Sequence, residues 1–524
     1  MIPNSDLLLD ASRADLINVV RFLLDCGADV NARNDNGCSA LLLSRSTELS
    51  ELLVRAGADV NAASNGGDTP LLMARDPETV KLLLDAGADV NARNQYGRTA
   101  LMDADDSEIV GMLLDAGADV NILDEDGRNA LFDCHPVGIM RQLLRAGARA
   151  DVVDVHGITP LWTAYDDECV ELLLRAGCDI NARDNEGKTC LFRWMGPDVV
   201  AALLRAGADP NATDNHGRTP LMESREYPIT EVLLQAGANP NARDENGRTA
   251  LHEMREPVGI TLLLRAGADV NAADNKGRTP LMRAFDEVDT RILLEAGADP
   301  LAVDNEGRTP LHDCCSEGQV ELLLAAGTPP DSPAKDGTTP LMHVCDAFGM
   351  QRLLDAGANP NAADNDGKTP LHHHADDPQM VKCLLAAGAN PNARNIDGCT
   401  PLFRTWDKAE SVELLLAAGA DPNARDNRNG TPAMDIHNPR QLQLLIQAGA
   451  DVNATDICGR TPLHHHADDP EMVELLLAAG ANPNARDKYE KTPLDTTNID
   501  KSRQLLLAAV AEPMPDEGVE EENA

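Results

Sequence analysis

The sequence predicts an all-α solenoid, and three observations carry that reading. A Gly-Ala step preceded by Leu-Leu returns every 30 residues from Gly27 to Gly357, and every 30 or 31 from there to Gly480, with small departures such as Cys178 and Thr328. Each interval holds two stretches with helix-start signals. Aromatic residues are only 2% of the chain against an apolar fraction of 43%, which suits thin helix pairs packed through Leu, Ala and Val.

One repeat, from Arg460 to Asp487, shows each element in order. Thr461-Pro462-Leu463 opens a short helix, since Thr caps and Pro at the first helical position gives up a hydrogen bond that has no partner there. Asp469 caps a second helix with Pro470 at its start, and Met472, Val473, Leu475, Leu476 and Leu477 form its broad apolar stripe. Gly480 ends that helix in the left-handed conformation that only Gly adopts cheaply. Residues 481–487 then run out as an extended finger, and the next repeat begins at Thr492.

T-P-L-H followed by L-L-L-x-x-G-A-x-P-N-A resembles the ankyrin repeat. The resemblance covers nearly the whole chain and implies an ankyrin-like solenoid of about 17 stacked helix pairs with extended hairpin fingers. The period of 30 is shorter than the family's about 33. The interval from the helix-ending Gly to the next Thr stays at 12, as in Gly87 to Thr99, so the fingers are whole and the first helix has lost about one turn.

The organisation expected is a capping repeat with its finger over 1–38, 30-residue repeats over 39–338, 30/31-residue repeats over 339–491, a capping repeat over 492–511 and an acidic disordered tail over 512–524. The finger Thr328–Lys335 loses its Asn and is the hinge candidate. His372–Arg394 closely matches His464–Arg486, which reads as duplication of a three-repeat block.

A net charge of −41 opposes nucleic-acid binding, because phosphate contacts want positive charge. The 12 Cys show no C-x-x-C and read as reduced thiols. No apolar run reaches membrane-spanning length and the N-terminus lacks a basic signal-peptide start. The expectation is a cytoplasmic monomer, or an effector exported without a cleaved signal, with a protein partner, no nucleic acid, no membrane, no cofactor and no metal.

No nucleophile, base and orienting group stand at a motif-like spacing, and no phosphate loop is present, so no catalytic residues and no enzyme are expected. The finger Asn residues, such as Asn91 and Asn453, read as hydrogen-bonding the neighbouring backbone. The basic residue after the finger Gly, as in Arg98 and Arg218, reads as paired with nearby Asp such as Asp214. The histidines at His343, His372–His374 and His464–His466 offer a metal or small-ligand sink as an alternative, with His343, His373 and Asp377 as the candidate ligands. The family resemblance reads His372 and His464 as structural instead. A purely structural spacer is the third reading.

The function expected is a non-catalytic protein–protein interaction scaffold that binds along its concave face and fingers. A polar residue follows two places after the Leu of T-P-L, as in Asp103, Thr163, Arg193 and Glu223, and lines that face. Aromatics from Phe132 to Tyr227 gather in first helices or their turns, near Arg193 and Arg225, with second helices expected to hold none after the cap. Because Trp, Tyr and Arg dominate interface energetics, the partner-binding candidates are Tyr165, Arg193, Trp194, Arg225, Tyr227, Arg404 and Trp406. Phe192 and Trp194 are the ones expected to fill core.

Overall fold

The computed structural model describes residues 4–132, 136–193, 196–314 and 316–511. The described residues are helices and turns with no strand, and one isolated bridge joins Arg33 and Ser39. No helix among them is long and apolar enough to cross a membrane. The chain divides into two compact units, Met1–Glu245 with Arg265–Ala268, and Asn246–Leu264 with Asp269–Ala524.

In the first unit the repeat is clearest from Thr69. Its hydroxyl accepts from the Leu72 N–H, and Pro70–Met73 makes a single helical turn. Asp76 accepts from the Thr79 N–H at 2.8 Å and starts the nine-residue helix Pro77–Asp85. Its inward side chains, Val80 and Leu83, repeat in the next helix as Val110 and Leu113, all at 1% exposure or less, so one aliphatic column passes from repeat to repeat. The chain turns at Gly87, whose N–H reaches the Leu84 carbonyl, while the Ala88 N–H reaches that of Leu83.

The first element is weaker than a helix in many repeats. Pro160–Thr163 and Cys190–Phe192 are 3-10 turns, and the segments after Thr99 and Asn129 form only hydrogen-bonded turns. Four residues hold too few bonds to repay an α-helical nucleus, so a repeat is better described as a turn plus a helix.

Most fingers end in a turn closed by an Asp, with Asn34, Asn94, Asn395, Ser64 and Ala334 at that place in the others. The Asp154 carboxylate accepts from the N–H groups of His156 and Ile158, both at 2.9 Å, and the Asp154 N–H bonds the Ile158 carbonyl. Neighbouring fingers are joined by the Asn ladder: Asn61 donates to the Gly87 carbonyl at 3.2 Å and accepts from the Asp89 N–H at 2.7 Å.

The second unit repeats this plan. Asn423 donates to the Gly449 carbonyl at 2.9 Å and accepts from the Asp451 N–H at 2.7 Å, which bears out the structural reading of the finger Asn. The ladder lapses at Leu301, where the facing residue of the next finger is Pro329 and has no N–H to give. From Thr369 the extra residue of the 31-residue repeats lies between first turn and second helix, separating Pro370–His373 from Pro378–Ala386.

Candidate functional site

In the first unit the turns of successive repeats line a groove of about 1020 Å³. Phe132, Trp162 and Phe192 form its aromatic wall, at exposures of 2%, 8% and 7%. They stand where other repeats carry the His of T-P-L-H. With no imidazole beside them, the buried hydroxyls of Thr159 and Thr189 have no hydrogen-bond partner, and neither does the Trp162 indole N–H. These are unspent polar groups beside an apolar wall.

Basic residues stand over that wall. Arg128 holds Asp154 through Nε and Nη2 at 2.9 and 2.7 Å, and its guanidinium carbon lies 5.8 Å from the centre of the Phe132 ring. Lys188 Nζ lies 2.7 Å from Glu186. Arg193 is exposed and donates from Nη1 to the Trp162 carbonyl. Tyr165, 41% exposed, has its phenol pushed up to about 12, by burial first and then by the Cys169 thiol. Burial and then Asp166 push that thiol up to about 11. Both groups are protonated at neutral pH, with the Tyr165 hydroxyl engaged by the Cys169 thiol, which serves as packing.

The sequence-predicted residues separate into groups. Tyr165 and Arg193 share the groove, while Arg193 and Arg225 share a smaller neighbour of about 260 Å³ with Phe192 and Glu223. Tyr227, 44% exposed, lines neither and opens the second helix Tyr227–Gln235, and Phe348 lies in the second helix Ala347–Asp355. Second helices after the cap therefore do hold aromatics. Phe192 is buried as expected, and Trp194 lies outside the described residues. Arg404 and Trp406 belong to the second compact unit, Arg404 half-buried in the turn Pro401–Arg404 and Trp406 71% exposed. Sequence reasoning took Arg128 and Lys188 only as members of the basic ladder after the finger Gly and missed His156, although all three line the groove.

Some finger bases pair with a finger Asp as expected, Arg308 with Asp304 at 2.9 Å and Arg128 with Asp154 of the next finger, and others do not. Asp214 accepts from the backbone N–H groups of His216 and Arg218. The Arg98 and Arg218 guanidinium groups instead pair with Asp103 at 2.7 Å and Glu223 at 3.2 Å, five residues on. Asp103, Glu223 and Glu253 of the polar column two places after the Leu of T-P-L are thus covered by ion pairs, and Arg193 is exposed.

Family models match most of the chain. Ankyrin repeats (3 copies) match residues 7–94, 45–124, 130–214, 254–334, 319–395 and 341–426. Ankyrin repeats (many copies) match 445–496, and a single Ankyrin repeat matches 216–245. The chain belongs to the ankyrin repeat family. A comparison with curated proteins found no match.

The histidines of this ankyrin chain divide their work by position. His372 accepts the Thr369 N–H at Nδ1 (3.1 Å) and reaches from Nε2 to the Cys399 carbonyl of the next finger (3.1 Å). His374 reaches back to the Leu341 carbonyl at 3.0 Å, and the exposed His373 pairs with Asp364. His464, His465 and His466 repeat these roles with Lys491, Asp456 and Ala433. Burial holds His372, His374, His464 and His466 below the usual imidazole range, so they are neutral and donate through Nε2. Asp377, weighed above as a metal ligand, caps the next helix through the Gln379 N–H at 2.8 Å. Among the described residues no group of three His, Cys, Asp or Glu is placed to hold a metal ion.

Proposed function

We propose that this ankyrin repeat protein is a non-catalytic scaffold that binds a segment of a protein partner in the groove walled by Trp162 and Phe192. Ankyrin repeats are in general protein-interaction modules, which sets the class of function and leaves the partner open. The observation that carries the reading is the groove itself: buried aromatics, an unpartnered indole N–H, and the exposed Tyr165 and Arg193 meet there. Apolar anchors ringed by a few polar groups are the usual anatomy of an interface hot spot. The test is affinity capture with the full chain and with the double variant Tyr165→Ala/Arg193→Ala, read by mass spectrometry. Proteins held by the wild type and lost from the variant, at an unchanged melting temperature, support the groove. The same proteins captured equally by both would overturn it. For a purified partner the expected loss is at least ~2 kcal/mol.

A further inference from the structure

A second concavity, of about 400 Å³, lies in the first three repeats. Arg13, Arg45 and Arg75 line it together with Leu43 and Met73, and the Met73 side chain is 51% exposed. Arg45 and Arg75 hold the same place in consecutive repeats, six residues after Ser39 and Thr69, where the following repeat has Asp105. Among the described residues, the Arg13 and Arg45 side chains make no hydrogen bond and no ion pair. Arg75 is held by one nitrogen, which donates to the Leu72 and Ala74 carbonyls at 2.7 and 3.0 Å.

Asp76 is the only carboxylate among the described lining residues, and it is already engaged. One oxygen accepts from the Thr79 N–H at 2.8 Å and the Thr47 hydroxyl at 2.9 Å as the helix cap. In a chain of net charge −41, three guanidinium groups around one hollow are therefore a local reversal of sign. Like charges stacked in neighbouring repeats oppose one another, and a bound anion removes that opposition. The Debye length of about 8 Å at physiological salt confines the repulsion from distant carboxylates, so the groove presents its own sign to a ligand.

We propose that this groove is a second binding site, for an acidic peptide segment of a protein partner that sets carboxylates against Arg13, Arg45 and Arg75 and an apolar side chain against Leu43 and Met73. Guanidinium forks bind carboxylates bidentately, and the exposed Met gives an adaptable apolar floor. The site is independent of the groove at Trp162 and stands or falls separately from it.

The experiment is fluorescence anisotropy of the full chain with a labelled ten-residue peptide alternating Glu and Leu. Saturable binding is expected, at least tenfold weaker for the same peptide with Gln in place of Glu, and at least tenfold weaker for Arg45→Glu/Arg75→Glu. Arg428→Glu, an exposed charge reversal in the other compact unit, leaves the affinity unchanged. Because Arg75 bonds backbone carbonyls, Arg13→Ala/Arg45→Ala serves as a second variant with no structural bonds to lose, and a loss of at least fivefold is expected. Equal affinity for the Gln peptide, no saturable binding, or an equal loss in Arg428→Glu overturns the proposal. Complete displacement of the peptide by millimolar inorganic phosphate also overturns it, since the site would then hold a free anion and not a peptide.

Discussion

The imidazole of His466 reaches the Ala433 carbonyl at 2.7 Å, across 33 residues of chain, and so fastens one first turn to that of the preceding repeat. The same bond joins His374 to Leu341. Both rings are neutral, His466 buried and His374 half-buried, so replacing either by Ala removes a hydrogen bond, strands a carbonyl and opens a cavity. Each of His374→Ala and His466→Ala is expected to lower stability by about 2–4 kcal/mol. Urea denaturation gives the value, and a change below about 0.5 kcal/mol would mean that the fastening contributes nothing.

Acid should loosen the second compact unit. His312, His343, His372, His374, His464 and His466 lie below the usual range, with burial the leading cause in each. An unfolded chain takes up protons on these rings as pH falls through about 6.5, and the folded chain takes them up only lower. Their contribution is therefore present above that pH and lost progressively below it. Hydrogen exchange, corrected for intrinsic rates, should show residues 309–484 opening more readily at pH 5.5 than at 7.5. In the first unit His216 is raised, through Glu245, but it is fully exposed and screened. Equal protection at both pH values would contradict this linkage.

At Asp151 the Asn ladder is interrupted in a way that one atom can mend. Its carboxylate is turned to Arg149, with contacts at 3.0 and 3.1 Å between exposed side chains, and a carboxylate cannot donate to the Gly177 carbonyl as an Asn would. The facing Asp179 does carry an N–H. Asp151→Asn should therefore raise the melting temperature, since the surface pair it gives up is worth little. Leu301→Asn faces Pro329 and should gain less. A thermal melt comparing the two reads the difference, and an Asp151→Asn melt at or below wild type would refute the ladder argument.

Two glycines separate backbone strain from steric conflict. Gly237 has φ +88° with nothing within 4 Å of an added Cβ, so Gly237→Ala costs only the left-handed conformation, about 1–2 kcal/mol. At Gly157, φ +81°, an added Cβ would lie 2.9 Å from the Asp184 Cα and 3.0 Å from the Asn185 nitrogen of the next finger. Gly157→Ala should cost clearly more, above about 3 kcal/mol, because one finger must move off another. Equal urea midpoints for the two variants would refute the close approach of the fingers.

Much of this architecture was legible because the signals are local. A Thr before Pro, an Asp three residues ahead of a helix's apolar side chains, and a Gly with no alternative each state a backbone conformation within a few residues. The groove was less legible. Phe132 and Trp162 are aromatics in a first turn, the exposed Tyr165 and Phe285 lie two residues past one, and only the position three after the Thr or Asn cap, shared with the T-P-L-H imidazole, tells wall from surface. The partners of Arg98 and Arg218 were hidden for a similar reason. Four residues before Arg98 stands Asn94 and four before Arg218 stands Asp214, both spent on backbone N–H groups, and the acid five residues on is the one in reach. Arg13, Arg45 and Arg75 lie in three different repeats, so no stretch of sequence shows them as a cluster.

The fastenings between repeats are all short in sequence: the Asn ladder spans 26 to 29 residues and the imidazole bonds 26 to 33. Each repeat is tied to its neighbours by bonds that close small loops, so little chain entropy is spent in making any one of them. Folding of such a chain need not wait for its ends to meet. It can begin at any pair of adjacent repeats and spread, and damage at one fingertip is answered by local fraying before anything is lost elsewhere.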